Sequence, residues 1–143
     1  MNIDIKLKKL KPEVKLPSYA HPGDAGMDLY SLEDYKLQPG ERRVFYLGFA
    51  IEFPTGYAGI IQDKGSLPKN GGLHVIGGVY DDGFRGEYNV MLINLGQESF
   101  KIAKGQKIAQ LIFYPVAYAQ IIETDTLSES SRGNGNFGST GKF

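Results

Sequence analysis

The chain reads as all-β, in a jelly-roll, sandwich or barrel arrangement, on three observations. Roughly eight to ten short runs rich in aromatic and β-branched residues follow one another along it. Turn signals built on Gly, Pro, Asn and Asp separate these runs at intervals of about 8 to 12 residues. No stretch of about 10 or more residues carries a convincing amphipathic helical period, so the expected helix is one short piece near Leu67 to Asn70.

The 143 residues suit one domain, able to bury roughly two-thirds of its unfolded surface. Hydrophobic content of 41% with 22% charged residues fits a soluble globular protein. No apolar run approaches the ~20 residues of a membrane helix. The opening MNIDIKLKKLKPEV has lysines but no apolar segment behind them, so it is not read as a secretory signal, and the cytoplasm is the expected compartment. Cysteine is absent, which excludes disulfides and thiolate metal sites and leaves His21 and His74 as the only imidazoles. A zinc enzyme is therefore not expected. Sixteen basic residues balance sixteen acidic ones, so no global field draws the chain to nucleic acid.

Ile3, Ile5 and Leu7 alternate with Asp4, Lys6 and Lys8, the period of a half-buried strand whose lysines guard an edge. Pro12, Pro17, Pro22 and Gly23 punctuate the next stretch of chain. Alternation returns over Ala25 to Ser31, with Met27 and Leu29 on one face and Asp28 and Tyr30 on the other, and Asp28 reads as a surface acid. Residues 42 to 53 and 57 to 62, joined at Pro54-Thr55-Gly56, read as an antiparallel pair. The loop Asp63 to Gly72, small residues with two lysines, could present N–H groups and cations to an anion, although it lacks the Walker A spacing.

Leu73 to Tyr80 and Glu87 to Ile93 flank Asp81-Asp82-Gly83-Phe84-Arg85-Gly86, a hairpin with a polar tip. That tip carries more chemistry than chain reversal requires. Turns come next at Asn94 to Gln97 and Lys104 to Gln106, with a short strand from Ser99 to Ile102 between them. Lys107 to Val116 is the most apolar strand, and its Gln110 is either a satisfied core amide or a ligand contact. The core domain is expected over residues 1–122, and residues 123–143 form a polar linker and a Gly-rich arm. The arm's guanidinium, ring and hydroxyls suit a phosphorylated aromatic ligand.

Five stretches, in order along almost the whole chain, resemble the motifs of the trimeric dUTPases. They are Ala25 to Leu29, Lys64 to Leu67, Gly78 to Asp81 with Phe84-Arg85-Gly86, Gly105 to Ile112, and Arg132-Gly133 with Phe137 to Gly141. The resemblance implies a jelly-roll homotrimer with active sites at the subunit junctions, converting dUTP and water to dUMP and pyrophosphate. By that resemblance Asp81 activates the attacking water and meets the 3′-hydroxyl, its base strength raised by a partly dry pocket. Phe84 stands where the family usually has tyrosine, and its ring is expected to exclude a 2′-hydroxyl. Main chain around Val75, Gly78, Val79 and Tyr80, with Asn89 opposite, is expected to read the uracil edge. Lys64, Gly65, Ser66 and Gln110 are expected at the phosphates, and Mg²⁺ is expected to be held mainly by the triphosphate itself. Asp28 is expected to act through water or to orient Arg85. The arm is expected to close, with Phe137 on uracil and Arg132, Gly138, Ser139 and Thr140 on the distal phosphates.

Three positions depart from the family pattern: Lys64 and Gly65 stand for arginine and serine, and Asn136 for glycine. Lysine keeps the charge but loses the bidentate fork, and Ser66 is placed to replace the lost hydroxyl. These departures bear on phosphate affinity rather than reaction type. A dCTP deaminase of the same fold is the nearest alternative, but Met91 stands where that family has a glutamate, and a thioether cannot shuttle protons. A nucleotide-responsive binding or regulatory module is the other, and the presence of Asp81 argues against a chain without activity.

Overall fold

The computed structural model describes residues 2–143. Eleven strands and one short helix occur in the order β1 Lys6–Lys9, β2 Met27–Tyr30, β3 Tyr35–Leu37, β4 Arg42–Tyr46, β5 Phe49–Glu52, β6 Tyr57–Gln62, α1 Ser66–Gly71, β7 Leu73–Val75, β8 Val79–Tyr80, β9 Asn89–Asn94, β10 Phe100–Ile102 and β11 Lys107–Pro115. Two main antiparallel sheets, β2-β11-β6-β8 and β4-β9-β7, are flanked by the pairs β1-β5 and β10-β3. The fold is the all-β jelly roll that the spacing of runs and turns predicts. No helix among the described residues is long and apolar enough to cross a membrane.

Inward side chains from both main sheets form one core, including Leu29, Ile61 and Leu111 from one and Phe45, Leu73, Val90 and Leu92 from the other. Strand β9 shows the expected alternation, with Val90, Leu92 and Asn94 buried between half-buried neighbours. A register shift in β11 between Lys107 and Ala109 lets Ile108 and Ala109 both face the interior. Asn94 is buried but satisfied: its amide nitrogen donates to the carbonyls of Leu37 (3.0 Å) and Glu98 (2.9 Å), and its oxygen accepts the Gly96 N–H (2.8 Å). That side chain thereby fixes the turn at residues 94–97.

Two expected pairings are overturned, both at glycines. Residues 42–53 are not one strand paired with 57–62: β4 pairs with β9, β5 with β1, and β6 with β11 and β8. The break falls at Gly48, whose φ of 72° and close neighbours Val14 and Leu32 leave no place for a Cβ. The hairpin around the polar tip is likewise divided. Its first arm leaves β9 after Ile76, turns at Gly77 and Gly78 (φ 70° and 91°), and joins the other sheet as β8 beside β6. The tip therefore bridges the two sheets, anchored in one by β8 and in the other by β9.

Candidate functional site

The polar tip stands on an aromatic platform. Tyr80, at the end of β8, stacks on the fully buried Tyr88 with centroids 4.0 Å apart and planes 13° from parallel. The Tyr80 hydroxyl donates to the Asn89 carbonyl and accepts the Asn89 N–H, each at 2.9 Å, which locks both tip arms together across the sheets. Burial pushes both phenols above their ordinary pKa, so they stay neutral. Phe84 leans on this pair, 5.4 Å from Tyr80 and 6.0 Å from Tyr88, and remains 38% exposed. One side of the ring is thus packed on the tyrosines and the other is left open.

Asp81 begins the tip turn, its carbonyl accepting the Phe84 N–H at 3.1 Å. Its carboxylate is exposed, and among the described residues no side chain pairs with it. One chain alone does not supply the dry pocket expected around it. Asp82 accepts a hydrogen bond from Tyr118 (3.3 Å), while Arg85 donates to the carbonyls of Asp82 and Phe84 and lies 3.7 Å from Glu52.

A second cluster surrounds Asp28, and here two expectations are corrected. Asp28 is 2% exposed rather than a surface acid: β2 is buried on both faces, and beside Asp28 stand its cross-strand neighbour Gln110 and two lysines. It does not orient Arg85; its partners are Lys64, with Nζ 2.5 Å from Oδ1, and Lys107, with Nζ 2.6 Å from Oδ2. At 2.6 Å, Lys107 makes a close ion pair with Oδ2. Burial opposes ionisation of Asp28, yet the two ammonium groups outweigh it and hold the carboxyl below its usual range; Lys107 is raised in turn. Gln110, cross-strand from Asp28, donates from Nε2 to the Asp63 carbonyl at 2.8 Å. Any Cβ at Gly26 would strike this Gln110 side chain.

Asp63 follows β6 and ties the loop before α1 to β7. Its Oδ1 accepts the Val75 N–H at 2.6 Å, and its Oδ2 lies 2.6 Å from His74 Nδ1. Val75 sits at a non-hydrogen-bonded position opposite Leu92, so its N–H and C=O point away from β9. With the N–H engaged by Asp63, the Val75 carbonyl is left facing away from β9. The Gly78 carbonyl is engaged as well, by the Ile61 N–H at 2.8 Å. Val79 is exposed, and Gly65 and Ser66 form the exposed entry to α1.

The arm is not brought onto either cluster within one chain. Arg132, Gly138, Ser139 and Thr140 are exposed and Phe137 is 100% exposed. The arm's hydrogen bonds close turns of its own, such as Arg132 Nε to the Gly135 carbonyl at 3.0 Å. No non-glycine residue among those described has a positive φ, so Asn136 occupies its place without left-handed strain. Sequence reasoning overlooked Asp63, His74, Lys107 and Tyr88. For Lys107 a signal existed, since an acid inside a strand needs a cation nearby; for Asp63 and His74 there was none.

Comparison with known proteins fits this geometry. The dUTPase family model matches residues 12–141. A deoxyuridine 5′-triphosphate nucleotidohydrolase from Clostridium tetani is 44% identical over 140 residues, covering 96% of this chain and 97% of its own. One of the same name from Alkaliphilus metalliredigens is 43% identical over 140 residues, covering 96% and 97%. The solved structure of the Staphylococcus bacteriophage 80alpha dUTPase with dUPNHPP superposes with a TM-score of 0.91 at 25% identity, covering 97% of this chain and 99% of that one. With the family match running from residue 12, ahead of β2, through the arm, the chain belongs to the dUTPase family.

Proposed function

We propose that the protein hydrolyses dUTP to dUMP and pyrophosphate, working as a homotrimer in the cytoplasm with sites formed where subunits meet. The observation that carries this reading is Asp81: an unpaired carboxylate at the end of a rigid aromatic platform, in a chain of this family. Asp81 accepts a proton as water attacks the α-phosphorus in line, and the bond from that phosphorus to its bridging oxygen breaks, releasing pyrophosphate. Phe84 packs against the deoxyribose and leaves no room for a 2′-hydroxyl. Main chain of Val75, Gly78, Val79 and Tyr80, with Asn89, frames uracil, while Lys64, Gly65, Ser66 and Gln110 hold phosphate.

Among the described residues no group of three or more His, Cys, Asp or Glu gathers to hold a metal, and Asp28 is already neutralised by two lysines. Such a donor set fits Mg²⁺ brought in by the triphosphate, where it offsets phosphate charge, rather than an ion caged by the protein. Residues 123–143 act as the arm: Phe137 stacks on uracil, and Arg132, Gly138, Ser139 and Thr140 grip the outer phosphates. Asp28 and Arg85 support the site from separate places, Asp28 by holding Lys64 and Arg85 by bracing the tip through the carbonyls of Asp82 and Phe84. Deamination of dCTP lacks its proton shuttle, since Met91 lies within β9 opposite Val44.

The test is pyrophosphate release with Mg²⁺ from dUTP, dTTP, dCTP and UTP. Release from dUTP far faster than from the other three is expected, and equal rates on all four would remove the specificity. Ammonia from dCTP would move the assignment to the deaminases.

A further inference from the structure

The sequence contains two Asn-Gly pairs, Asn70-Gly71 and Asn134-Gly135. A glycine carries no Cβ to shield its peptide nitrogen from the amide side chain before it. Once that nitrogen gives up its proton it can attack the asparagine Cγ, expel ammonia and close a five-membered succinimide. Water then opens the ring at either carbonyl, leaving aspartate or isoaspartate. Closure requires the peptide to swing its nitrogen towards the side chain, so the local fold decides which pair reacts.

The two pairs stand in opposite surroundings. Asn70 lies within α1, where helical dihedrals hold the Gly71 nitrogen away from the side chain. That helix end is also fastened, because the Gly72 N–H donates to the Pro68 carbonyl at 3.0 Å and the Gly72 carbonyl accepts the Leu95 N–H at 2.9 Å. Asn134 is exposed in the arm, and among the described residues its side chain has no hydrogen-bond partner. It is the third residue of a turn closed by the Gly135 N–H on the Arg132 carbonyl (3.1 Å) and by Arg132 Nε on the Gly135 carbonyl (3.0 Å). No buried side chain anchors that turn to the body, so it opens at little cost. Gly135 is nevertheless needed there, since a Cβ would stand 3.1 Å from the Ser139 Cβ and 3.2 Å from the Arg132 carbonyl oxygen. The glycine that lets the turn form is the one that leaves Asn134 open to attack.

We propose that Asn134 is a site of spontaneous deamidation that ages the arm and loosens its grip on the triphosphate. The modification stands on the arm's own geometry, while its consequence rests on the dUTP reading above. Either product puts a new negative charge two residues from Arg132, on the arm assigned to the outer phosphates. Isoaspartate also adds a methylene to the main chain between Arg132 and Phe137, so guanidinium and ring no longer meet phosphate and base at one spacing.

The experiment holds the unaltered protein and Asn134→Ser, which has no side-chain carbonyl to close the ring, in mildly alkaline buffer. Samples are read by peptide mass spectrometry and by calorimetric binding of non-hydrolysable α,β-imido-dUTP, each protein referenced to its own fresh state. Conversion at Asn134 is expected to outpace that at Asn70 by about tenfold or more. Affinity of the converted protein for imido-dUTP is expected to fall about fivefold to tenfold, while Asn134→Ser keeps its starting value. Fresh Asn134→Asp, which has the charge without the added methylene, is expected to bind about twofold to threefold more weakly than the fresh unaltered protein. An intact Asn134, equal conversion at the two pairs, or the same loss of affinity in aged Asn134→Ser would overturn the proposal. Absence of imido-dUTP binding by the fresh protein would refute the dUTP reading instead, and the mass spectra still decide on the modification.

Discussion

Asp28 holds two cations at once, and that double duty sets what its removal does. Asp28→Asn leaves Lys64 and Lys107 facing each other without the anion between them, and a loss of up to about 3 kcal/mol in urea denaturation is expected. Because the fold lowers its carboxyl pKa, the stability Asp28 contributes is complete above the unfolded value of ~3.9 and disappears as pH falls through the folded one. The stability gap between the protein and its Asp28→Asn variant should thus begin to narrow below pH ~4 and close once pH is below the folded pKa, as denaturation at several pH values would reveal. Gly65 makes the opposite case. It has open space where a Cβ would stand and a φ of −51°, so Gly65→Ser should fold normally and lower KM for dUTP by about twofold to fivefold through a new hydroxyl near phosphate. Asp81→Asn should keep imido-dUTP affinity and lose turnover, by roughly a hundredfold or more, in the pyrophosphate assay. Polar and apolar order along the chain exposed Asp81 and Phe84 as candidates because a turn does not need them. It hid Asp28, since the lysines that make its burial tolerable arrive from β11 and from the loop after β6.

Among the elements, those recognisable in advance are the ones whose pattern is local. The half-buried alternation of residues 3–8, the short α1, the apolar β11 and the turns at 94–97 and 104–106 all declare themselves within a few residues. Partner choice does not, because it depends on which distant strand a glycine elbow aims the chain towards. Gly48 sends one continuous β-rich run into two sheets, and Gly77-Gly78 splits a run that looks like half a hairpin. Gly48→Ala should therefore destabilise the fold by about 2 kcal/mol or more, from left-handed strain together with collision at Val14 and Leu32, measurable as a lower urea midpoint with an unchanged slope.

At the level of the whole molecule, the body and the arm are energetically separate within one chain. Ile121, Ile122, Leu127 and Phe137 are exposed, so the arm adds little to the packing of its own subunit. Removal of residues 132–143 should leave the thermal midpoint within about 2 °C and the assembly state by light scattering unchanged, while dUTP turnover collapses. An unchanged rate would show that the arm takes no part.

The Tyr80–Tyr88 stack has a practical corollary. The chain contains no tryptophan, so no indole drains tyrosine excitation or swamps the aromatic absorption bands. Two rings clamped nearly parallel at 4.0 Å, with Phe84 beside them, should give an outsized near-ultraviolet dichroism signal for the tip. A nucleotide settling on Phe84 would perturb that signal, giving a label-free optical titration of occupancy in solution.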